Sequence, residues 1–370
     1  MSVNTKDQVK EPELKGSDSN VFTYCFITSS CTKTPSIVFL KTHKAASSTV
    51  TVTLQRYGLK HNKTFAIPLL APYSFIFHLT KLFTANMTMG YQESMIANGK
   101  SWEGFDILMN HARLNRQEMD KVVQNAFYLT ILRNPTTHFE STFGYFKFSD
   151  YILQIIKEKN ATNEMTIFLN KPKFFYDRLA HLKHFRNFLW NSQSFDLGLN
   201  PKLFENDDYV SGAIQRLSRE LDLVMIMEYF DESLIMMKKE LCLDYEDIIY
   251  MSSNARKNTQ KSQLDYRTQE QITEWNKVDT LLYKHFNDTL WLKILDYGPN
   301  FSKDLAFFRQ LNQNVRNECT FADYSVTFPS IRCEDLKRLE TGYINIIRAM
   351  TKKRFNFTED ITGLPFTKLY

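Results

Sequence analysis

The residues of this 370-residue chain best suited to chemistry form one short run, Lys41-Thr42-His43-Lys44-Ala45-Ala46-Ser47-Ser48-Thr49. Cations, an imidazole and hydroxyls follow directly on the apolar stretch Ile37-Val38-Phe39-Leu40. Small side chains let an anion approach the backbone, and the free amides of a helix start point toward it. The chemistry favoured is the binding of a phosphate or a related oxyanion. The glycines of a G-x-x-x-x-G-K-[ST] loop are absent, so the cradle would rest on backbone amides, Ser47 and Ser48. Two more polar clusters close apolar runs, Asn110-His111 and Arg133-Asn134.

These residues need a frame that brings them together. Ser36–Lys41 reads as a buried strand, and Val50–Gly58 as a helix closed by glycine. Phe105–His111 and Ala126–Arg133 read as further strands, the second stopped by Pro135. Helical stretches are expected at Arg116–Gln124, Thr136–Phe148, Glu232–Leu241, Asp265–Phe286 and Asp304–Asn317, and another strand within Leu221–Met227. Strands alternating with helices imply an α/β fold with a doubly wound parallel sheet. Ligands bind such sheets beyond the carboxyl ends of the strands. Three strands ending in Lys41–Lys44, His111 and Arg133 would converge there on an anion. Residues 1–34 read as a flexible lead-in, 35–300 as the main domain, and 301–370 as its helical C-terminal extension. The aromatic, proline-containing stretch from 60 to 100 reads as a covering insertion.

A 43% hydrophobic content supports a full core, and the net charge of +5 without a concentrated basic block argues against a nucleic-acid surface. Aromatic residues make up 14% of the chain and glycine is sparse, a globular composition and not a disordered or fibrous one.

The loop Lys41–Thr49 resembles the donor-binding loop of carbohydrate sulfotransferases. Ile131-Leu132-Arg133-Asn134-Pro135 with Phe139-Glu140-Ser141 resembles their second motif, which holds the donor's 3′-phosphate. More narrowly, the chain resembles the galactose 3-O-sulfotransferase family. The supporting pieces run in order: Phe65–Pro68, Asn110–Asn115, Phe195–Leu199, Glu228–Leu234, Asn254–Arg256, Trp275-Asn276 and His285–Asn287.

The resemblance implies a P-loop-like sheet flanked by helices and transfer of a sulfuryl group from 3′-phosphoadenylyl sulfate to a galactose hydroxyl. The acceptor would be a galactose-terminated glycolipid or glycan, with a uronyl sugar of a glycosaminoglycan as the alternative, and no metal is required. Lys44 would be the cation at the bridging oxygen, with Lys41, Thr42, Ala45, Ala46, Ser47 and Ser48 lining the 5′ side of the donor. Arg133 and Ser141 would hold the 3′-phosphate. His111 and His43 compete as the base, with His111 favoured for its strand-end context. Arg256 and Lys257 would close over the donor or form a solvated basic loop. The acceptor pocket would draw on aromatic residues of 65–105. One departure falls at Ala45, where the family usually has threonine; it would change donor affinity, or leave the fold as an inactive nucleotide- or glycan-binding module.

Location is read two ways. Six glycosylation acceptor patterns, at Asn62, Asn86, Asn160, Asn287, Asn300 and Asn356, point to a lumenal protein. The family implies the Golgi and membrane association, yet no signal or membrane-spanning segment is visible in the sequence. Of Cys25, Cys31, Cys242, Cys319 and Cys333, the last two would close a C-terminal loop in an oxidising compartment.

Overall fold

The computed structural model describes residues 35–69, 76–78, 80–92, 104–158, 163–182, 185–251, 264–321, 327–328 and 331–355. Its centre is a five-stranded parallel sheet built from β1 (Ser36–Leu40), β2 (Phe65–Ala66), β3 (Ile107–Leu108), β4 (Ala126–Leu132) and β5 (Leu223–Ile226), in the order β2-β3-β1-β4-β5. Ile37–Leu40 are buried on both faces, as a central parallel strand requires. The chain leaves β1 through α1 (Ser47–Lys60), crosses to the edge at β2, returns to β3 and then passes to the far side of β1 at β4. This reversal beside β1 opens a crevice at the carboxyl ends of β3, β1 and β4. Phe65–Ala66 therefore belong to the frame: β2 pairs in register with β3, so part of the 60–100 stretch is sheet edge, not a covering insertion.

The helices that follow are α2 (Arg116–Asp120), α3 (Pro135–Tyr145), α4 (Phe148–Ile156), α5 (Glu164–Asn170), α6 (Pro172–Arg178), α7 (Ser192–Asp196) and α8 (Asp207–Glu220). After β5 come α9 (Phe230–Leu241), α10 (Tyr245–Ile248), α11 (Tyr266–Trp275), α12 (Lys277–Tyr297) and α13 (Phe301–Phe321). The antiparallel pair β6 (Thr327–Phe328) and β7 (Ile331–Arg332) precedes α14 (Cys333–Lys337) and α15 (Glu340–Arg354). The main core runs from Ile37 through Phe308 to Ile344 and Ile347, so α13 and α15 share the sheet's core.

Several boundaries differ from the sequence reading: the strand read over Phe105–His111 is only Ile107–Leu108, the helix from Arg116 stops at Asp120, and three more differ for local reasons. Gly58 does not end α1, which continues to Lys60. A Cβ there would lie 2.4 Å from the Phe65 ring, so the glycine lets α1 press on the sheet edge. The expected helix to Phe148 stops at Tyr145, because Lys147 adopts a left-handed conformation (φ 52°) before α4. The single helix expected over Asp265–Phe286 is two, with Asn276 between them accepting the Asn191 amide at 2.8 Å. Cys319 and Cys333 form a disulfide across fourteen residues, and Cys242 is disulfide-bonded as well.

Candidate functional site

Loop Lys41–Ala46 emerges from the buried end of β1 and is tied down on both sides. Thr42 Oγ1 donates to the Ile131 carbonyl of β4 at 2.5 Å, and Ser47 Oγ donates back to the Thr42 carbonyl at 2.5 Å. These bonds hold a strained turn: Lys44 (φ 56°) and Ala46 (φ 61°) are both left-handed, at about 1–3 kcal/mol each. α1 begins with no side-chain cap. No acceptor among the described residues takes the amides of Ala45, Ala46, Ser47 and Ser48. Successive backbone amides around left-handed residues form an anion-binding concavity, which fits a phosphate-bearing donor. The Ala45 methyl is fully buried in the core.

Two imidazoles stack at the mouth of this loop. The His43 and His111 rings lie 3.9 Å apart and nearly parallel, at 15°. Nδ1 of His43 donates to Asp196 at 2.9 Å, and the His43 amide donates to the same carboxylate at 2.7 Å. Nδ1 of His111 donates to the Lys41 carbonyl at 2.8 Å. Each partner accepts only, so each ring keeps its proton on Nδ1 and presents a basic Nε2. Burial first, then the charges of His43 and Lys41, hold His111 well below the ordinary imidazole range. Lys41 turns away: its buried ammonium pairs with Glu340 of α15 at 2.5 Å, and burial lowers its pKa. A third imidazole, His138, donates through Nε2 to the His43 carbonyl at 2.9 Å, and burial lowers its pKa to about 4.

Arg133 reaches this loop from the end of β4. Its Nη1 donates to the Lys44 carbonyl at 3.1 Å and its Nε to Thr137 at 3.0 Å. Its peptide group is clamped by Gln193, which accepts the Arg133 amide at 2.7 Å and donates to the Arg133 carbonyl at 2.9 Å. Lys44 carries its ammonium 3.6 Å above the centre of the Tyr145 ring. Asn134 caps α3 by accepting the Thr136 amide, with Pro135 at the first helical position. Ser141 lies buried on that helix.

Short α7 therefore supplies both clamps, Gln193 to Arg133 and Asp196 to His43. It is itself fixed by Asp279 in the first turn of α12, which accepts the Gln193 amide and both the amide and hydroxyl of Ser194. Burial raises the Asp279 pKa to about 6. From the other side, Arg113 donates to the carbonyls of Phe195 and Leu199 and covers the Phe195 ring at 3.8 Å. Gly198 (φ 84°) makes that approach possible, since a Cβ would lie 2.5 Å from the Leu114 carbonyl.

The structure thus places Lys41, Thr42, His43, Lys44, Ala45, Ala46, Ser47, Ser48, His111 and Arg133 around the ends of three neighbouring strands. Arg256 and Lys257 lie outside the described residues. Sequence reasoning gave no role to Asp196, Gln193, His138, Asp279, Glu340 or Tyr145. Only Asp196 carried a signal, as part of the quoted stretch Phe195–Leu199. The 65–105 stretch passes the site in part: the Phe77 amide donates to the His111 carbonyl at 2.8 Å. Among the described residues, no group of three or more His, Cys, Asp or Glu side chains is arranged to hold a metal ion, and no helix is long and apolar enough to cross a membrane.

The family model described as Galactose-3-O-sulfotransferase matches residues 5–349. The chain is 33% identical over 310 residues to Galactosylceramide sulfotransferase of Homo sapiens, an alignment covering 83% of this chain and 69% of that protein. It is 32% identical over 292 residues to the Mus musculus protein of the same name, covering 78% and 65%. It is 33% identical over 271 residues to Galactose-3-O-sulfotransferase 2 of Homo sapiens, covering 71% and 62%. The chain spans about two thirds of the length of these curated relatives.

Proposed function

The chain belongs to the galactose-3-O-sulfotransferase family, and from that premise we propose that it transfers a sulfuryl group from 3′-phosphoadenylyl sulfate to the 3-hydroxyl of a galactose on a glycolipid or glycan. The observation that carries this reading is the stacked pair His43–His111, with Asp196 behind His43, set at the strained loop that also holds Lys44 and Arg133.

When bound, the donor supplies the sulfuryl group and leaves as adenosine 3′,5′-bisphosphate. The amides of Ala45–Ser48 and the hydroxyl of Ser48 hold its 5′ side, while Arg133 and Ser141 hold its 3′-phosphate. Lys44 leaves the Tyr145 face to neutralise charge developing at the bridging oxygen. His43 takes the acceptor proton through Nε2, and Asp196 steadies the imidazolium that forms. His111, neutral at physiological pH, packs against that ring and keeps it in place. Lys41 acts through the fold, by its ion pair to Glu340. The buried Ala45 methyl faces the core, so the missing threonine hydroxyl leaves the cradle intact. The disulfides and the exposed sequons at Asn62, Asn86 and Asn300 support a Golgi-lumenal protein, membrane-associated like its acceptor.

Calorimetry with adenosine 3′,5′-bisphosphate, joined to a labelled-sulfate transfer assay on galactosylceramide and lactosyl acceptors, tests the reading. Tight nucleotide binding and transfer to position 3 of galactose are expected. Binding without transfer to any galactoside would overturn the enzymatic reading.

A further inference from the structure

Beside His43 and Lys44, four aromatic rings form a continuous wall. Phe188, in the 3₁₀ turn Phe185–Leu189, lies 4.4 Å from the His43 ring and is almost fully buried. Phe146 stacks on Phe188 at 4.5 Å with an interplanar angle of 5°. Tyr145 meets Phe146 edge-on at 5.0 Å, and Phe185 lies 5.8 Å from it. The outer members stay in water: Tyr145 is 64% and Phe185 41% exposed. The left-handed residue Lys147 ends α3 and turns the chain between half-buried Phe146 and fully buried Phe148. Large rings left exposed beside reactive groups, when their neighbours are packed, mark a surface built for a ligand.

Resting on the transferase reading above, we infer that this wall is the acceptor subsite and that it holds the galactose by its apolar face. The reacting hydroxyl has to lie within reach of both His43 Nε2 and the Lys44 ammonium, and the wall runs from one to the other. Galactose suits it chemically. Its axial 4-hydroxyl leaves the C3, C4 and C5 hydrogens together on the opposite side of the ring, and that face packs on an aromatic plane. Phe188 and Phe146 are the fixed layer, while Phe185 and Tyr145 supply the exposed surface. Tyr145 has a second use as a positioning residue, because its ring holds the Lys44 ammonium before the donor arrives.

The test is binding of methyl β-galactoside by saturation-transfer NMR, which needs no turnover, alongside steady-state kinetics of the full chain. Phe185→Ala should weaken galactoside binding and raise the acceptor KM about tenfold, leaving the affinity for adenosine 3′,5′-bisphosphate unchanged. Phe185→Trp should keep acceptor binding. Tyr145→Ala should lower kcat as well, whereas Tyr145→Phe, which keeps the ring face, should retain it. If Phe185→Ala and Tyr145→Ala bind both nucleotide and galactoside like the unaltered protein, the wall is not the acceptor subsite. If the unaltered protein binds galactoside through the wall yet transfers no sulfate, the transferase reading fails and the subsite stands.

Discussion

At its N-terminus α1 meets a strained loop, and the amides of Ala45–Ser48 there take no acceptor from the described residues, with two imidazole nitrogens and an arginine close by. Arg56 lies nine residues further along the same helix, roughly 14 Å away. There α1 borders a cavity of about 400 Å³ lined by Arg56, Lys60, Asp247, Arg338 and Tyr343. Charge is as plentiful there, but it is spoken for. Arg56 Nη2 donates to the carbonyls of Glu246, Asp247 and Ile249. Lys60 pairs with Asp247 at 3.0 Å, Arg338 pairs with Glu334 and Asp335, and Tyr343 donates to the Asp335 carbonyl. That end cements α1 to α10, α14 and α15. The contrast teaches that volume and charge alone do not mark a site. What marks it is donors that converge on one point, held by a backbone that pays strain to keep them there.

The contrast can be broken, most severely at the catalytic end. His43→Ala and Asp196→Asn should lower transfer by about 10²–10⁴-fold with nucleotide binding retained in calorimetry. Full activity in His43→Ala together with loss in His111→Ala would move the base to His111. Lys44→Ala should cost on the order of 10²–10³ in kcat, read in single-turnover transfer with saturating donor.

At the opposite end, Arg56→Leu should lose about 3 kcal/mol of stability by denaturant unfolding, because three carbonyls lose a charged donor. Its kcat per folded molecule should stay unchanged, and a fall rivalling that of Lys44→Ala would erase the distinction between the two ends. His138→Gln sharpens the comparison through pH. Folded His138 titrates near 4 and an unfolded histidine near 6.5, so between those values only the unfolded chain binds the proton. Stability from this group is therefore complete above 6.5 and lost as pH falls. Relative to the unaltered protein, His138→Gln should gain about 2 kcal/mol at pH 5 over its difference at pH 7.5. Lys60→Ala, a partly exposed pair, should change stability by less than about 1 kcal/mol.

The frame and half of the site were legible in the sequence, because both are local. A run such as Ile37–Leu40 announces a buried strand, and the polar residues that close it announce a strand end. Three such ends in a parallel sheet have to fall on one edge. What could not be read are the partners that turn those residues into a site. Asp196 meets His43 across 153 positions, and Asp279 meets Ser194 across 85. No periodicity couples residues so far apart, and a lone aspartate on a short helix looks like any cap or surface charge. The aromatic wall was hidden differently. The spacing of Phe139, Phe143 and Phe146 predicts one helical face, yet α3 ends at Tyr145, and Phe146 beyond it is half-buried while Phe139 and Phe143 are buried.

The pair between Lys41 and Glu340 spans 299 positions. A ribosome adding roughly 5–20 residues per second needs about 15–60 s to travel from one to the other. For most of that interval the nascent chain carries the strand, the loop and both imidazoles, but not the carboxylate that lets the Lys41 ammonium be buried. Lys41 also supplies the carbonyl that orients His111. Assembly of the reactive centre is thereby tied to synthesis of α15, and a chain stalled before that helix would leave it unfinished.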